Sequence, residues 1–401
     1  MLPVILILMM LVSSSVRATH LSYSIEDYTT LSESLLANYS NKIRPIRDLG
    51  QSLQMEASLW IISINEVSDA EQKMSTTGYL YVKWKDAMIT WDSATTGIYW
   101  IQFNQNDLWM PDLVLKNGFT DFKPLGGKFY YVTVENDGTV HWYPYMVFET
   151  KCNMDVSFYP FDRQTCKIIF KTWSYSRWEI NPTVSADKVG FYEFVPNNVW
   201  EVTSTDATYD VTSSATDVVF IINLRRKSMY YILNIFMPVI LLGILSPAVF
   251  IIPTDSGEKM GYAVTMFLTF VVFLTLVSAE LPINSDNVCN IGIYLIIKLI
   301  IGVIIIYITS LQLRLRHRKP NIKIGKLFLA LVRTERRLRG FLDKESCSTD
   351  KVGETEPPGN ELPPAIEWTD VADAIDFYAF WSVILSDMFI TTIVFSYNAS
   401  D

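Results

Sequence analysis

Cys152 and Cys166 enclose thirteen residues. In an exported segment such a pair is expected to close as a disulfide, and a loop of this length gains roughly 3 kcal/mol in the chain-entropy model. Between them, Phe158-Tyr159-Pro160-Phe161-Asp162 forms an apolar, proline-bent tip. Such a tip is costly to expose to water and suits an apolar partner. A second chemistry lies beyond Glu258. Residues 260–279 carry no charge, and Gly261, Thr265, Leu268, Val272, Thr275 or Leu276, and Ala279 recur at three- and four-residue steps. They share one helical face, small or polar at one end and apolar in its middle. Within a bilayer that stripe fits a water-filled lumen; close helix packing also gathers small residues. Tyr262, Phe270 and Phe273 point elsewhere. The remaining inventory is sparse. His20, His141 and His317 lie far apart, and no His/Cys cluster has zinc-ligand spacing. No nucleophile–base pair or phosphate loop occurs, so neither an enzyme nor a bound cofactor or metal is expected.

The composition indicates which elements position these residues. Of 401 residues, 50% are hydrophobic and only 19% charged, against about 25% charged in an average soluble domain. The net charge of −9 argues against a nucleic-acid partner. Residues 228–254 and 260–279 hold no charge, 287–313 only Lys298, and 377–397 only Asp387. Each run is long enough to cross a bilayer, which predicts four membrane spans. Lys298 and Asp387 should each face an interhelical pocket with a polar partner, and a pairing of the two is conceivable. Residues 1–18 read as a secretory signal peptide, with a signal anchor as the alternative. A cleaved signal would place 19–227 outside the cell, and four spans would return the C-terminus there. The segment 314–375 is then cytoplasmic; its Arg314, Arg316, Arg318, Lys319 and further basic residues obey the positive-inside rule. Asn38 and Asn398 head glycosylation patterns on the outer side.

Residues 51–227 carry short β-branched and aromatic runs, among them 77–84, 130–134, 167–170 and 218–224. Asn117-Gly118, Gly126-Gly127 and Asn136-Asp137-Gly138 read as hairpin punctuation. This pattern predicts a β-sandwich, with a short leading helix over 26–40. Beyond the third span, 322–342 is basic and amphipathic, with Leu327, Leu329, Leu331 and Phe341, and reads as a helix lying on the inner leaflet. Residues 343–364, rich in proline and acid, are expected to be disordered. Residues 365–376 should run as a helix into the fourth span. Cys289 and Cys347 are expected to be free thiols. The domains are thus 1–18 leader, 19–227 extracellular sandwich, 228–313 three spans, 314–375 cytoplasmic loop, 376–397 fourth span and 398–401 outer tail. The fold class is α+β: an immunoglobulin-like sandwich followed by a four-helix membrane bundle.

The motifs agree in order and spacing with one family. The Cys-loop with Tyr159-Pro160-Phe161-Asp162, then Trp109-Met110-Pro111-Asp112, Trp173-Ser174-Tyr175, Leu224-Arg225-Arg226-Lys227 and Asp255-Ser256-Gly257-Glu258-Lys259 resemble the pentameric ligand-gated channels of the Cys-loop family. The nicotinic acetylcholine receptor-like branch is the nearest. The match runs from about residue 30 to 397. The resemblance implies a plasma-membrane pentamer made with four identical or homologous subunits. It implies a small-molecule ligand bound between extracellular domains, a pore lined by five second spans, and contact with lipid and permeant cations. A postsynaptic location is one possibility.

The resemblance also assigns residues. Five Glu258 side chains would form an inner carboxylate ring that favours cations. The family's anion channels usually carry Pro-Ala before a basic residue here, whereas this chain keeps Gly257-Glu258-Lys259. Lys259 is expected to point away from the lumen, and Leu268 and Val272 to form rings that close by dewetting. Glu280 lies one residue nearer Pro282 than in typical nicotinic sequences, so Ala279 would face the outer pore. Relatives hold cationic amines in an aromatic cage. Trp173 and Tyr209 match its principal face, and Tyr79, His141 and Tyr143 the complementary one; sandwich core is the alternative role for these rings. Lys116 stands where a tyrosine is usual, and a lysine there would oppose a cation unless it turns to solvent or pairs with Asp210. The capping cysteine pair is absent. Phe158-Tyr159-Pro160-Phe161 is expected to meet the linker 281–286, which includes Pro282, and Arg225 to pair with Asp162 or Glu66. The reading is a cation-selective channel subunit of uncertain ligand. The alternatives are an accessory subunit that binds no agonist and needs partner subunits, or an anion-selective channel.

Overall fold

The computed structural model describes residues 23–120, 124–211, 215–280, 289–319, 322–346 and 366–399. The expected leader 1–18, His20, the linker 281–286 with Pro282, Cys347 and the segment 347–364 lie outside the described residues. So does the Asn398 side chain. The chain divides into two units. The first runs to Met154 and resumes over Gln164–Arg225. The second takes Asp155–Arg163 and everything from Arg226 onward.

Ser24 opens the leading helix α1 (Ile25–Leu36) with a capping box: its hydroxyl accepts from the Asp27 N–H at 3.1 Å, and Asp27 accepts from the Ser24 N–H at 3.2 Å. The helix stops four residues before the expected end at 40. Tyr39 turns away, its hydroxyl donating to Asp86 Oδ2 at 2.7 Å, and Asn38 stays exposed.

Eleven strands follow among the described residues. They are β1 (Leu53–Ser68), β2 (Lys73–Lys85), β3 (Trp100–Asn104), β4 (Leu113–Leu115), β5 (Tyr131–Glu135), β6 (Thr139–Trp142), β7 (Tyr145–Lys151), β8 (Arg163–Thr172), β9 (Ile180–Val195), β10 (Trp200–Val211) and β11 (Thr216–Arg226). One sheet has the order β3-β5-β6-β2-β1-β9, with β7 also paired to β2; the other has the order β10-β11-β8-β4. β1 and β9 run parallel, which forces a long crossover between them. Leu59, Ile61, Leu80, Val82 and Val134 of the first sheet share one core with Ile168, Phe170, Phe220 and Ile222 of the second. This is the expected sandwich; β2, β8 and β11 extend past the runs marked by sequence, and β5 is displaced by one residue. Asn136-Asp137-Gly138 closes the β5–β6 hairpin, and Gly138 has φ +87°. Asn117-Gly118 and Gly126-Gly127 do not form hairpins, because β4 and β5 belong to different sheets. The Asn117 side chain instead ties neighbouring backbone, donating to Lys167 O at 2.8 Å and accepting from Ile169 N–H at 3.0 Å.

Among the described residues the second unit holds five long helices: α2 (Met229–Phe250), α3 (Lys259–Glu280), α4 (Asn290–Arg316), α5 (Lys326–Ser346) and α6 (Trp368–Ala399). By length and apolarity α2, α3, α4 and α6 can each cross a membrane. α2 is irregular where proline removes donors. A π-turn over Ile232–Phe236 precedes Pro238, and a 3₁₀ turn over Ser246–Phe250 contains Pro247. Helix α5 extends to 346, so the start of the expected disordered stretch is helical. Its apolar side is seated on α6, with Phe328 against Trp368 and Val332 in a cluster with Val371 and Ala374. The Arg336–Asp370 pair adds to this seat at 3.1 Å. The α6 helix thus takes up part of the amphipathic face, while Leu327 stays exposed.

Lys298 of α4 and Asp387 of α6 do pair, both largely buried. Gly243 of α2 makes room for them. A Cβ there would lie 2.7 Å from Asp387 Oδ2 and 3.0 Å from Lys298 Nζ. Gly243→Ala is therefore expected to lower the thermal stability of the detergent-solubilised protein by about 1–3 kcal/mol, the usual range for overpacking. An unchanged melting temperature would show that the pair shifts freely.

Candidate functional site

Three sets of residues carry the expected function. The first lies at the ends of the smaller sheet. Trp109 is buried and donates its Nε1–H to the Tyr175 hydroxyl at 3.1 Å, while Asp112 reaches the turn after β8. The Asp112 carbonyl accepts from Trp173 N–H at 3.1 Å and its carboxylate from Ser174 N–H. The Trp-Met-Pro-Asp motif thus fixes the turn that presents Trp173, whose side chain is 63% exposed. Tyr209, on β10, is 55% exposed. Lys116 follows β4, and its N–H bonds Ile169 O at 2.7 Å. Its ammonium reaches over β8 to Asp217 on β11, not to Asp210. Asp217 is buried and its Oδ1 has no hydrogen-bond partner among the described residues. The lysine charge is therefore largely cancelled rather than presented to a ligand.

The second set lies on the larger sheet. Tyr79 and Tyr81 are two residues apart on β2 and so share a face. Tyr79 stacks on Trp60 at 6.1 Å and meets Tyr143 edge-on at 6.1 Å. Tyr81 stacks on Tyr143 at 4.9 Å and on His141 at 5.9 Å. Gly190, opposite Trp60 in register, permits this ladder: a Cβ there would sit 2.5 Å from the indole. Burial first, then neighbouring phenols and acids, pushes the Tyr81 hydroxyl up to about 12. It therefore stays protonated, and it hydrogen-bonds His141 Nδ1 at 2.8 Å. The other ring nitrogen, Nε2, lies 3.1 Å from Glu135 Oε1. Burial likewise raises the pKa of Tyr79. The result is a half-exposed wall of stacked aromatic faces with one carboxylate at its edge. The sequence reading missed Tyr81, Trp60 and Glu135. The period-two spacing of Tyr79-Leu80-Tyr81 was the available signal.

The third set lies in the second unit. Cys152 and Cys166 form the disulfide that closes the loop, and Cys289 is a buried free thiol. The loop tip, residues 155–163, belongs to the helical unit. Tyr159 is 1% exposed and packs with Ile235, Phe236 and Tyr294. Ser157 O accepts from Asn290 N–H at 3.1 Å. Arg226, 4% exposed, pairs with Asp162 through Nε–Oδ1 at 2.8 Å and Nη2–Oδ2 at 3.1 Å. Its guanidinium also lies over the Tyr159 ring, 4.9 Å from the centroid. The expected pairing of Arg225 is therefore corrected. Arg225 bonds Glu201 at 2.7 Å, and Glu66 lies 3.7 Å from Lys73.

On α3 the residues Gly261, Thr265, Leu268, Val272, Thr275, Leu276 and Ala279 are all exposed in the single chain. Phe270 is buried, and Tyr262 and Phe273 pack into the helical clusters. Glu258 is exposed at the start of this stripe, whereas the next residue, Lys259, is 0% exposed.

The sequence matches the ligand-binding domain of neurotransmitter-gated ion channels over residues 28–228, and their transmembrane region over 235–350. The chain belongs to the neurotransmitter-gated ion-channel family. It is 31% identical over 289 residues to the acetylcholine receptor subunit beta-type lev-1 of Caenorhabditis elegans, covering 71% of this chain and 56% of that protein. It is 30% identical over 299 residues to the beta-type unc-29 subunit of the same worm, covering 74% and 60%. The neuronal acetylcholine receptor subunit alpha-6 of Rattus norvegicus is 29% identical over 297 residues, covering 72% and 60%. The chain thus spans less than two thirds of these relatives. Among the described residues, no group of three or more His, Cys, Asp or Glu gathers as a metal site.

Proposed function

We propose that the chain is one subunit of a pentameric, cation-selective channel of the plasma membrane, opened by a small extracellular ligand at subunit interfaces. The observation that carries this reading is α3. It leaves a full-length stripe of small, polar and aliphatic residues exposed among the described residues, with Glu258 exposed at one end and Lys259 turned into the bundle. Five such stripes would line a pore with a carboxylate ring at its inner mouth. Salt-gradient reversal potentials test it: the unmutated channel should follow sodium, and a potential that follows chloride would refute the reading. The loop tip, residues 158–162, and Arg226 would pass ligand-driven motion to the helices through their shared packing.

The ligand site supports a particular preference. Trp173, Tyr209 and the Tyr79–Tyr143–Tyr81 wall offer aromatic faces, each cation contact being worth ~0.5–2 kcal/mol. Relative to the sequence expectation, Asp217 removes most of the objection raised by Lys116. Lys116→Tyr should strengthen binding of choline, because it deletes a cation and leaves the Asp217 carboxylate. It should also lower stability by about 1–3 kcal/mol, the penalty for a buried acceptor without its partner. Choline titration by calorimetry, paired with a thermal melt, checks both. Weaker choline binding with unchanged stability would count against this site.

The accessory-subunit reading has one observation in its favour. The capping stretch from Tyr209 to Ala215 has no cysteine pair, and a lysine–aspartate pair replaces the usual principal-face tyrosine. Expression alone and with related subunits separates the two: an accessory chain yields current only in company.

A further inference from the structure

Glu258 and Lys259 are neighbours of opposite charge at the start of the pore helix, yet their side chains part completely. Lys259 is 0% exposed, and its ammonium is held by Asp376 of α6, 117 residues further along the chain. Asp376 Oδ1 also accepts from Gln312 Nε2 of α4 at 2.8 Å, and Gln312 is itself fully buried. Phe250, at the end of α2, places its ring 5.9 Å from the ammonium. Residues from α2, α4 and α6 thus converge on one lysine of α3. A second rung lies beside it: Arg316 of α4 bridges Asp373 of α6, at 3.5 Å, and Asp255, which precedes the pore helix. The segment 255–259 is pinned at both ends, with Glu258 left exposed between them.

We infer that Asp376 is a specificity-determining positioning residue for ion selection. It keeps the Lys259 charge inside the bundle, so that Glu258 alone sets the charge of the inner mouth. The inference rests on the pore reading given above. Released, the lysine would bring each subunit's contribution at the mouth from −1 to zero. Unit charges in close approach act on one another even in water, and five subunits add their effects. Asp376 touches no permeant ion; it acts through Lys259.

The test uses the full chain carrying Leu268→Ser, which wets the apolar constriction so that current flows without ligand. Asp376→Asn should reduce the sodium-to-chloride permeability ratio by on the order of tenfold. Asp376→Glu should retain the ratio. Asp376→Asn combined with Lys259→Gln should restore it, since no stray cation remains. An unchanged ratio in Asp376→Asn, or no restoration in the double variant, overturns the inference. A second readout needs no current. A water-soluble amine acylating reagent, followed by peptide mass spectrometry, should label Lys259 in the Asp376→Asn protein and not in the parent. Lys298, paired with Asp387, should stay unlabelled in both, which excludes general unfolding. Protection of Lys259 in Asp376→Asn overturns the inference. A parent pore that follows chloride overturns the functional reading instead, and the labelling still decides whether Asp376 holds the lysine.

Discussion

Glu258→Gln should lower single-channel cation conductance severalfold and shift the salt-gradient reversal potential toward zero. The carboxylate is exposed where α3 begins, while the nearest cation in sequence is withdrawn behind it. No other charged residue lies on the stripe from Gly261 to Ala279. Five carboxylates around a narrow mouth concentrate cations and repel anions, and field lines focus where low-dielectric walls enclose water. Glutamine keeps the volume and the polar group but loses the charge, so assembly should stay intact. Single-channel recording in symmetrical sodium chloride, alongside size-exclusion profiles, checks both halves of the expectation. Equal conductance in the two proteins would mean that another ring selects the ion.

The largest effect on stability is expected from Arg226→Gln. Both partners of the Arg226–Asp162 pair are nearly inaccessible, and the guanidinium fork meets the carboxylate at two points. Removing the cation strands a buried carboxylate, a change that typically costs 3–5 kcal/mol. We expect loss of surface protein and a markedly lower melting temperature. Arg226→Lys should recover only part, because an ammonium cannot reproduce the fork or its stacking on Tyr159. Replacing both partners with Leu and Met should recover more stability than either single change, as seen when buried pairs are removed together. A single variant as stable as the parent would show that water reaches the pair.

Composition alone revealed the four spanning helices, because a bilayer tolerates few charges and the runs at 228–254 and 260–279 have none. The sandwich was legible in outline, since alternation marks strands such as β2 and β11. The long β9 was not: Pro182, Asp187 and Gly190 interrupt it, and it is sustained by parallel pairing with β1 that no local signal reports. The ion pairs were the least legible. Arg225 and Arg226 are adjacent on a strand, so they point to opposite faces, and sequence does not say which one faces inward. Lys116 had two aspartates seven residues apart to choose from; strand order decided for Asp217. Lys298 and Asp387 needed the rotation of two helices about their axes, which apolar patterning in a membrane leaves almost undetermined.

The chain passes between its two units three times, at 154–155, 163–164 and 225–226. A secreted fragment truncated after Arg225, the obvious design for obtaining the ligand-binding half as a soluble reagent, would carry residues 155–163 without the helices that bury Tyr159 and without the Arg226 that neutralises Asp162. Its sandwich would be complete, yet it would present an apolar knuckle beside an acid that has lost its Arg226 contact. Production of that half as a monodisperse reagent therefore calls for polar replacements at Tyr159 and Phe161, and for a boundary that keeps Arg226 with its partner.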